Sequence, residues 1–324
     1  MDRKQFISSL AAATAATYAK PAPAAQKAEG AAGLGSDLVF TESEIQGVRR
    51  LSREKNFGAF HASMSPGYHV RLGEVVLVET FDCLPDTQSR DGTRREIEKG
   101  DRVNPGTGPI FVEGIGPGEA LAIDLLEVRV DNWGYSKRRI YELKDGYAVF
   151  DDSLRLPLSP MIGMIGIAPA QGEMNTIAPE DTGGNMDCKE VRPGSTLIFT
   201  VQVEGALVGL GDVHAIQGDG EIRGEGIETK GEVLLRFRKV PFKLSDRPVI
   251  LRTEWVATVG SGKDLDEAAW QATEDMVALM AGLTGRDEES SRQLINLIGN
   301  LRINQIVDPR KGARMEVPSW ALGI

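Results

Sequence analysis

The first clear helical periodicity in this chain of 324 residues begins only at Asp264. Asp264 and Glu267 form a capping pair at its start, and Gly285 is placed to end it. Apolar residues recur between them at the spacing of one helix face, namely Leu265, Ala269, Ala272, Met276, Leu279 and Leu283. A second, shorter helix is expected over residues 287–298. Everything before Asp264 must therefore fold mainly without long helices.

The region before these helices consists of short apolar segments rich in β-branched residues, separated by many of the chain's 37 glycines and 16 prolines. Such segments are typical of strands. The clearest strand predictions are residues 75–81, 111–114, 121–130, 196–203, 233–240 and 248–259. Residues 42–55 are predicted to be weakly helical, and residues 85–108 a long loop. Many strands followed by two late helices predict a β-rich α+β protein, not a parallel α/β sheet.

The overall composition excludes some classes of partner. Hydrophobic residues make up 41% and charged residues 26% of the chain, which are ordinary values for a globular protein. The net charge of −10 argues against binding to nucleic acid or to an anionic membrane surface. Cys83 and Cys188 do not have the spacing of a metal-binding pair. We expect two free, buried thiols, although one disulfide between them is the alternative.

The N-terminus is typical of a secretory signal peptide. A short basic start precedes a small apolar run, and Ala22–Ala24 offers an A-x-A cleavage site. We therefore expect a signal peptide over residues 1–24, an Ala/Gly-rich linker over 25–40, and a catalytic domain over 41–324. Residues 3–7 are similar to a twin-arginine signal with lysine in the second basic position, so either export route is open. A disordered low-complexity tail is the alternative.

The stretch Gly209–Glu221 concentrates the chemistry of the chain. It contains one of only three histidines, three carboxylates and four glycines. Asp212 and His214 are two residues apart and would share one face of a strand, and Asp219 and Glu221 repeat that spacing after a glycine-rich turn. A carboxylate and an imidazole on one face can bind a divalent metal, with a second carboxylate as base. An ordinary hairpin with a solvated acidic tip is the alternative.

The same stretch resembles the core motif of the acetamidase/formamidase family. Further motifs extend the resemblance over roughly residues 70 to 318. They are Asn104–Gly114, Met161–Pro169, Gly183–Asp187 and Asp308–Lys311. The resemblance implies β-sandwich and barrel-like parts with a small helical C-terminal portion. It also implies hydrolysis of short linear amides, such as formamide or acetamide, to ammonia and a carboxylate.

Four residues are the candidate metal ligands: Asp82, Asp187, Asp212 and His214. The resemblance supports Asp187, Asp212 and His214 most, because their motifs match the family residue for residue. We expect zinc, with calcium or manganese as alternatives for so oxygen-rich a site. Turn capping is the alternative role for Asp82, and an Asx turn is the alternative for Asp187. His61 is interpreted as a structural or surface residue.

Three further residues are candidates for catalysis. Glu221 or Glu113 could transfer the proton between water and the leaving ammonia, and Gln217 could bind the developing oxyanion. His69, like His61, is interpreted as structural or at the surface. The chain lacks the Gly-x-Ser-x-Gly elbow and the serine and cysteine motifs of other amidases, which leaves metal-assisted hydrolysis.

Two questions concern the whole molecule. We expect the protein to form a homo-oligomer. We expect its binding partner to be a small amide, which is its substrate. The alternative functions are an exported binding protein for a small amide or amine, with a structural metal and no turnover, and a β scaffold that merely holds a structural calcium.

Overall fold

The computed structural model describes residues 45–241 and 243–324, and strands dominate it. In chain order the strands are β1 (Arg49–Leu51), β2 (Asn56–Phe57), β3 (Ala59–His61), β4 (Tyr68–Arg71), β5 (Val75–Thr80), β6 (Gly106–Glu113), β7 (Ala120–Val130), β8 (Trp133–Ser136), β9 (Arg139–Lys144), β10 (Tyr147–Val149), β11 (Arg155–Pro157), β12 (Met161–Gly166), β13 (Glu173–Asn175), β14 (Pro179–Glu180), β15 (Gly183–Asn185), β16 (Thr196–Thr200), β17 (Val208–His214), β18 (Glu228–Thr229), β19 (Gly231–Val240), β20 (Val249–Leu251), β21 (Trp255–Gly262), β22 (Asn300–Gln305) and β23 (Lys311–Pro318). Two helices lie near the C-terminus, α1 (Leu265–Thr284) and α2 (Glu288–Ile298), followed by a 3₁₀ turn at Ser319–Leu322.

The strands form two large sheets. One has nine strands in the order β1-β5-β19-β7-β16-β20-β21-β23-β22. The other has twelve, with a main path β11-β10-β9-β8-β18-β17-β12-β15-β14 and with β6 paired to β17, β2 and β4. A two-stranded ribbon joins β3 and β13. The β-rich α+β prediction is confirmed, but none of the described sheets closes into a barrel.

The core lies between the two large sheets and follows from the period of two along each strand. On β7, Ile123 faces the second sheet, while its neighbour Ala122 packs on the helical side. The second sheet contributes Ile162 from β12 and Val213 from β17 to the same core. The molecule therefore has three layers, which are the helices, the nine-stranded sheet and the twelve-stranded sheet.

The two predicted helices are confirmed with their caps. Asp264 accepts a hydrogen bond from the Glu267 main-chain N–H at 2.9 Å, and Gly285 ends α1 with φ of 74°. Asp287 caps α2 through Ser290. Among the described residues, no helix combines the length and apolarity needed to cross a bilayer.

Other local predictions need correction. The helix predicted over residues 42–55 does not continue beyond residue 46 in the described residues, because Leu51 is fully buried where β1 pairs with β5. Tertiary pairing here overrides weak helical propensity. Residues 248–259 are not one strand, since a turn closed by a hydrogen bond from Arg252 N–H to Trp255 O separates β20 from β21. That turn contains neither glycine nor proline, so no local signal indicated it.

Some predictions lie at or beyond the edge of the described residues. The signal peptide over 1–24 and the linker over 25–40 both lie outside them.

The free-thiol prediction is confirmed, and Cys188 is buried while Cys83 is only partly buried. The long loop before β6 is also confirmed, although β6 begins at Gly106 and so shortens it.

Candidate metal centre

Asp212 and His214 lie at the end of β17, as the period of two predicted. His214 Nε2 is 3.3 Å from Asp212 Oδ1, and both side chains are buried. Asp212 has φ of 56°, which interrupts the regular pairing of β17 with β12 opposite Gly163. A methyl group on Gly163 would overlap the Asp212 carboxylate and lie 2.5 Å from Asp187 Oδ1. The missing side chain of Gly163 therefore makes room for both carboxylates.

Gln217 fixes the orientation of the His214 imidazole. Gln217 Nε2 donates to the main-chain oxygen of Asp187 at 2.6 Å, which turns its Oε1 toward His214 Nδ1 at 2.7 Å. A carboxamide oxygen can only accept, so Nδ1 carries a proton. His214 Nε2 consequently faces the carboxylates, 3.1 Å from Glu228 Oε2, without a hydrogen bond to either neighbour.

A chain of side-chain amides positions Asp187. Asn185 Nδ2 donates to Asp187 Oδ2 at 2.7 Å and to Asp308 Oδ2 at 3.0 Å. Asn104 Nδ2 in turn donates to Asn185 Oδ1 at 2.8 Å and to the main-chain oxygen of Thr176 at 3.0 Å. Asp187 Oδ1, on the other side of the carboxylate, is buried and has no partner.

Four polar residues of this cluster have left-handed backbone conformations, which side chains other than glycine rarely adopt. Their φ angles are 50° at Asn104, 42° at Asp187, 56° at Asp212 and 42° at Glu221. Each such residue costs on the order of 1–3 kcal/mol and persists only where its surroundings enforce it. Their concentration at one place indicates a functional site.

The donor atoms of this cluster fit a cation. Ligand atoms of Asp187, His214 and Glu221 lie within 4.8 Å of one another, and so do those of Cys83, Asp212 and Glu228. The buried polar atoms without a partner include Asn104 Oδ1, Asp187 Oδ1, His214 Nε2 and Glu228 Oε2. Unpartnered buried acceptors are costly unless a cation or donor meets them. The described residues can therefore hold a metal ion.

His214 and Asp212 each favour the charged form of the other. Burial lowers the pKa of His214, but the carboxylates of Glu228 and Asp212 outweigh it and raise that pKa well above its ordinary value. Burial raises the pKa of Asp212, but the charge of His214 outweighs it and lowers the pKa overall. Nε2 is thus the atom over which a proton and a metal ion would compete.

The other carboxyl groups are pushed toward their neutral forms. Burial, opposed by His214, raises the pKa of Glu221 to about 8 and that of Glu228 to about 7. Burial raises the pKa of Asp308 to about 6 and that of Asp187 well above its ordinary value, and neighbouring carboxylates add to both. Several carboxyl groups here can exchange protons near neutral pH, as acid–base catalysis requires.

The cluster borders a small cavity of about 190 Å³. Its polar wall consists of Asn104, Asn185, Asp187, Asp212, Glu221, Glu225, Glu228 and Asp308. Leu84, Val103 and Ile177 form an apolar side. A typical ligand pocket occupies roughly 300–1,000 Å³, so this cavity suits only a small molecule.

Comparisons with known proteins agree with the motifs that carry these residues. A model of the Acetamidase/Formamidase family matches residues 160–308. The structure of a recombinant predicted acetamidase/formamidase from Thermoanaerobacter tengcongensis is 37% identical, with a TM-score of 0.81, and the match covers 85% of this chain and 97% of that one. The chain belongs to the acetamidase/formamidase family. The structure of an acetamidase from Bacillus halodurans is 33% identical, with a TM-score of 0.79, over 85% of this chain and all of the other.

Curated members of the acetamidase/formamidase family match over shorter regions. The formamidase of Methylophilus methylotrophus is 46% identical, over 47% of this chain and 56% of its own length. The acetamidase of Mycolicibacterium smegmatis is 33% identical over 30% of this chain and 27% of its own. This chain thus spans between about a quarter and three fifths of the curated relatives.

Most of the predicted site residues lie close together in the structure. Asp187, Asp212, His214, Gln217 and Glu221 all belong to the buried cluster. Gln217 lies behind the imidazole with its amide oxygen and nitrogen both engaged, so it positions His214 and is not placed as the predicted oxyanion group.

Two predicted site residues do not line the cavity. Asp82 accepts hydrogen bonds from the Leu84 main-chain N–H at 3.1 Å and from the Tyr135 hydroxyl at 3.0 Å, which fits the turn-capping alternative. Glu113 is exposed at the end of β6, 3.6 Å from Arg71, and does not line the cavity. Its position does not support the predicted catalytic role.

Four residues of the cluster were not predicted: Asn104, Asn185, Glu228 and Asp308. Three of them stand inside or beside the motifs that carry the family resemblance, which could have indicated Asn104, Asn185 and Asp308. Glu228 had no local signal. It reaches His214 only because the short strand β18 pairs with β17, with Glu228 opposite His214.

Asp219 anchors the loop that carries Glu221. Arg314, which is 1% exposed, donates to both Asp219 carboxylate oxygens at 2.9 and 3.1 Å. Lys189, two residues after Asp187, contacts the same carboxylate at 3.1 Å. Asp219 therefore ties β23 to the two segments that carry Asp187 and Glu221.

Proposed function

We propose that the protein is a metal-dependent hydrolase of short linear amides that releases ammonia and a carboxylate. The observation that carries this proposal is the buried cluster in which His214 Nε2 and Asp187 Oδ1 lack partners beside a small cavity. Family membership supports the same reaction class. Ammonia release from formamide, acetamide and longer amides by the purified protein tests it, and no release from any of them contradicts it.

His214, Asp187 and Asp212 are the residues that would hold the metal. A divalent ion bound there would act as a Lewis acid on the amide carbonyl and lower the pKa of a water molecule. Gln217 keeps His214 Nε2 facing the ion by holding the proton on Nδ1. We propose zinc because a histidine with carboxylates is a common zinc ligand set, and calcium or manganese remains the alternative.

Glu221 is the carboxyl group suited to move the proton. Its raised pKa of about 8 allows it to take a proton from water and return it to the leaving amine near neutral pH. It also stands within ligand distance of Asp187 and His214, so the alternative role is that of a ligand.

Two substitutions separate these roles. Glu221→Gln should retain the metal and lose turnover, whereas Asp187→Asn should lose the metal. Loss of metal from Glu221→Gln would instead identify Glu221 as a ligand.

The cavity favours a small substrate. Its apolar side, formed by Leu84, Val103 and Ile177, would contact the short acyl group, and its acidic side would face the amide. We therefore expect kcat/KM to fall steeply as the acyl chain grows beyond acetamide. Equal rates for acetamide and a long-chain amide would contradict this size limit.

The alternative function is a binding protein for a small amide or amine with a structural metal. Its acidic cavity would bind a cation or an N–H donor without turnover. Calorimetric binding of acetamide in the absence of any ammonia release would favour this alternative over the hydrolase.

Export and self-association are separate proposals. We propose that the mature protein begins near Ala25, which mass spectrometry of the native protein can test; an intact Met1 start would contradict it. We also propose a homo-oligomer, for which the edge strand β22 offers exposed Leu301 and Ile303. Sedimentation of the purified protein tests the oligomer, and a monomer at all concentrations would contradict it.

A further inference from the structure

The side-chain oxygen of Asn104 has no role in the steps proposed above. The residue is 5% exposed, lines the small cavity, and stands in the long loop just before β6. Its Oδ1 atom is buried and has no hydrogen-bond partner among the described residues.

The surrounding network fixes which way the carboxamide of Asn104 faces. Its Nδ2 donates to the main-chain oxygen of Thr176 at 3.0 Å and to Asn185 Oδ1 at 2.8 Å. Both partners accept hydrogen bonds, since the nitrogen of Asn185 is engaged with the carboxylates of Asp187 and Asp308. Rotating the amide of Asn104 by 180° would set oxygen against oxygen, so Oδ1 is held in place as an acceptor.

The backbone of Asn104 is also held in place. Asn104 has φ of 50°, and its main-chain N–H donates to the Cys83 oxygen at 2.6 Å. A residue held in a left-handed conformation with a buried, unpartnered acceptor is costly unless a ligand meets that acceptor.

We propose that Asn104 Oδ1 accepts a hydrogen bond from the N–H group of the substrate amide and so selects amides over esters. This inference rests on the proposed hydrolase function and names a specificity determinant for the same cavity. An ester of equal size lacks the N–H donor and would leave the buried oxygen unpaired. A site that hydrogen-bonds a substrate N–H group discriminates strongly against analogues that lack the N–H group. A site that distinguishes substrates by size alone discriminates far less.

The test compares acetamide with methyl acetate in the metal-loaded protein. If methyl acetate is cleaved, its kcat/KM is measured. If it is not cleaved, its inhibition constant as a competitive inhibitor of acetamide hydrolysis is measured. Asn104→Leu keeps the volume of the side chain, and Asn104→Gly keeps the backbone conformation. Thr107→Val is the matched control, because it removes a buried hydroxyl on β6 that donates to the main-chain oxygen of Glu79.

Both Asn104 variants should lower the preference for acetamide over methyl acetate by at least about tenfold, while Thr107→Val leaves it unchanged. Metal content should stay that of the wild type. An unchanged preference in both variants, or loss of the metal from both, overturns the proposal, since the second result would make Asn104 part of the metal site, either as a ligand or through Asn185 and Asp187.

The role of Asn104 can also be tested if the protein has no hydrolase activity. If the wild type releases no ammonia, the affinity for acetamide is measured by calorimetry. Weaker binding of acetamide by both variants then supports the role of Asn104 without turnover. Equal affinity in the variants, or no binding by the wild type, overturns it.

Discussion

The ion pair between Arg314 and Asp219 should stabilise both the fold and the site, and Arg314→Met tests this. Arg314 is 1% exposed and also donates to Asn304 at 2.9 Å and to Glu316 at 2.7 Å. Removing one partner of a buried ion pair costs about 3–5 kcal/mol. The Asp219 side chain is 28% exposed and keeps Lys189, so we expect a loss of about 2–4 kcal/mol in the free energy of unfolding.

Arg302→Met is the matched control. Arg302 lies on the same hairpin and contacts the same Glu316 at 3.6 Å, but its side chain is 52% exposed and it does not touch Asp219. An exposed pair of this kind contributes about 0–1 kcal/mol. Urea denaturation of the metal-free proteins gives both values, and equal stability of the two variants would refute the reasoning.

The same substitution should weaken the metal site. Asp219 connects the segments that carry Asp187 and Glu221, so loss of Arg314 would loosen their spacing. We expect about tenfold weaker metal binding in Arg314→Met, comparable to the loss of a residue that orients a ligand. Isothermal titration measures it, and wild-type affinity in the variant would show that Asp219 does not position the site.

Three further predictions concern the cluster itself. Gln217→Leu should weaken metal binding about 10–100-fold, because the imidazole loses the acceptor that fixes its tautomer; unchanged affinity in a titration would contradict this. Gly163→Ala should abolish metal binding, since a methyl group there overlaps the carboxylates, and metal analysis at wild-type content would show otherwise. Asp308, Glu228 and Glu221 have pKa values raised to about 6, 7 and 8, so each favours the folded state only while protonated. The metal-free protein should therefore lose stability as the pH rises from about 5 to 8, and metal binding should release protons and strengthen over that range. Denaturation across pH and calorimetry in two buffers measure both, and flat profiles would contradict them.

Local patterns predicted much of the fold. The cap at Asp264, the strand segment of β7 and the two-residue spacing of Asp212 and His214 depend on neighbouring residues, which a sequence displays directly. The turn between β20 and β21 and the pairing of β1 with β5 depend on distant contacts. No local pattern specifies such contacts, and both were predicted wrongly.

The same distinction applies to the site. Asp212 and His214 lie two residues apart on one strand, so the sequence alone could place them on one face. Glu228 reaches the imidazole through strand pairing, and the role of Gln217 follows from a contact with the main chain of Asp187. The sequence could indicate several residues around the proposed metal site, but not which of their atoms lack a hydrogen-bond partner.

Removal and return of the metal tests the central claim most directly. The purified protein is stripped with a chelator, checked by elemental analysis, and assayed for ammonia release from formamide and acetamide before and after addition of zinc, manganese or calcium. We predict that turnover disappears with the metal and returns with one of these ions, and that His214→Ala stays inactive throughout. Full turnover by the metal-free protein, or by His214→Ala, would contradict the account.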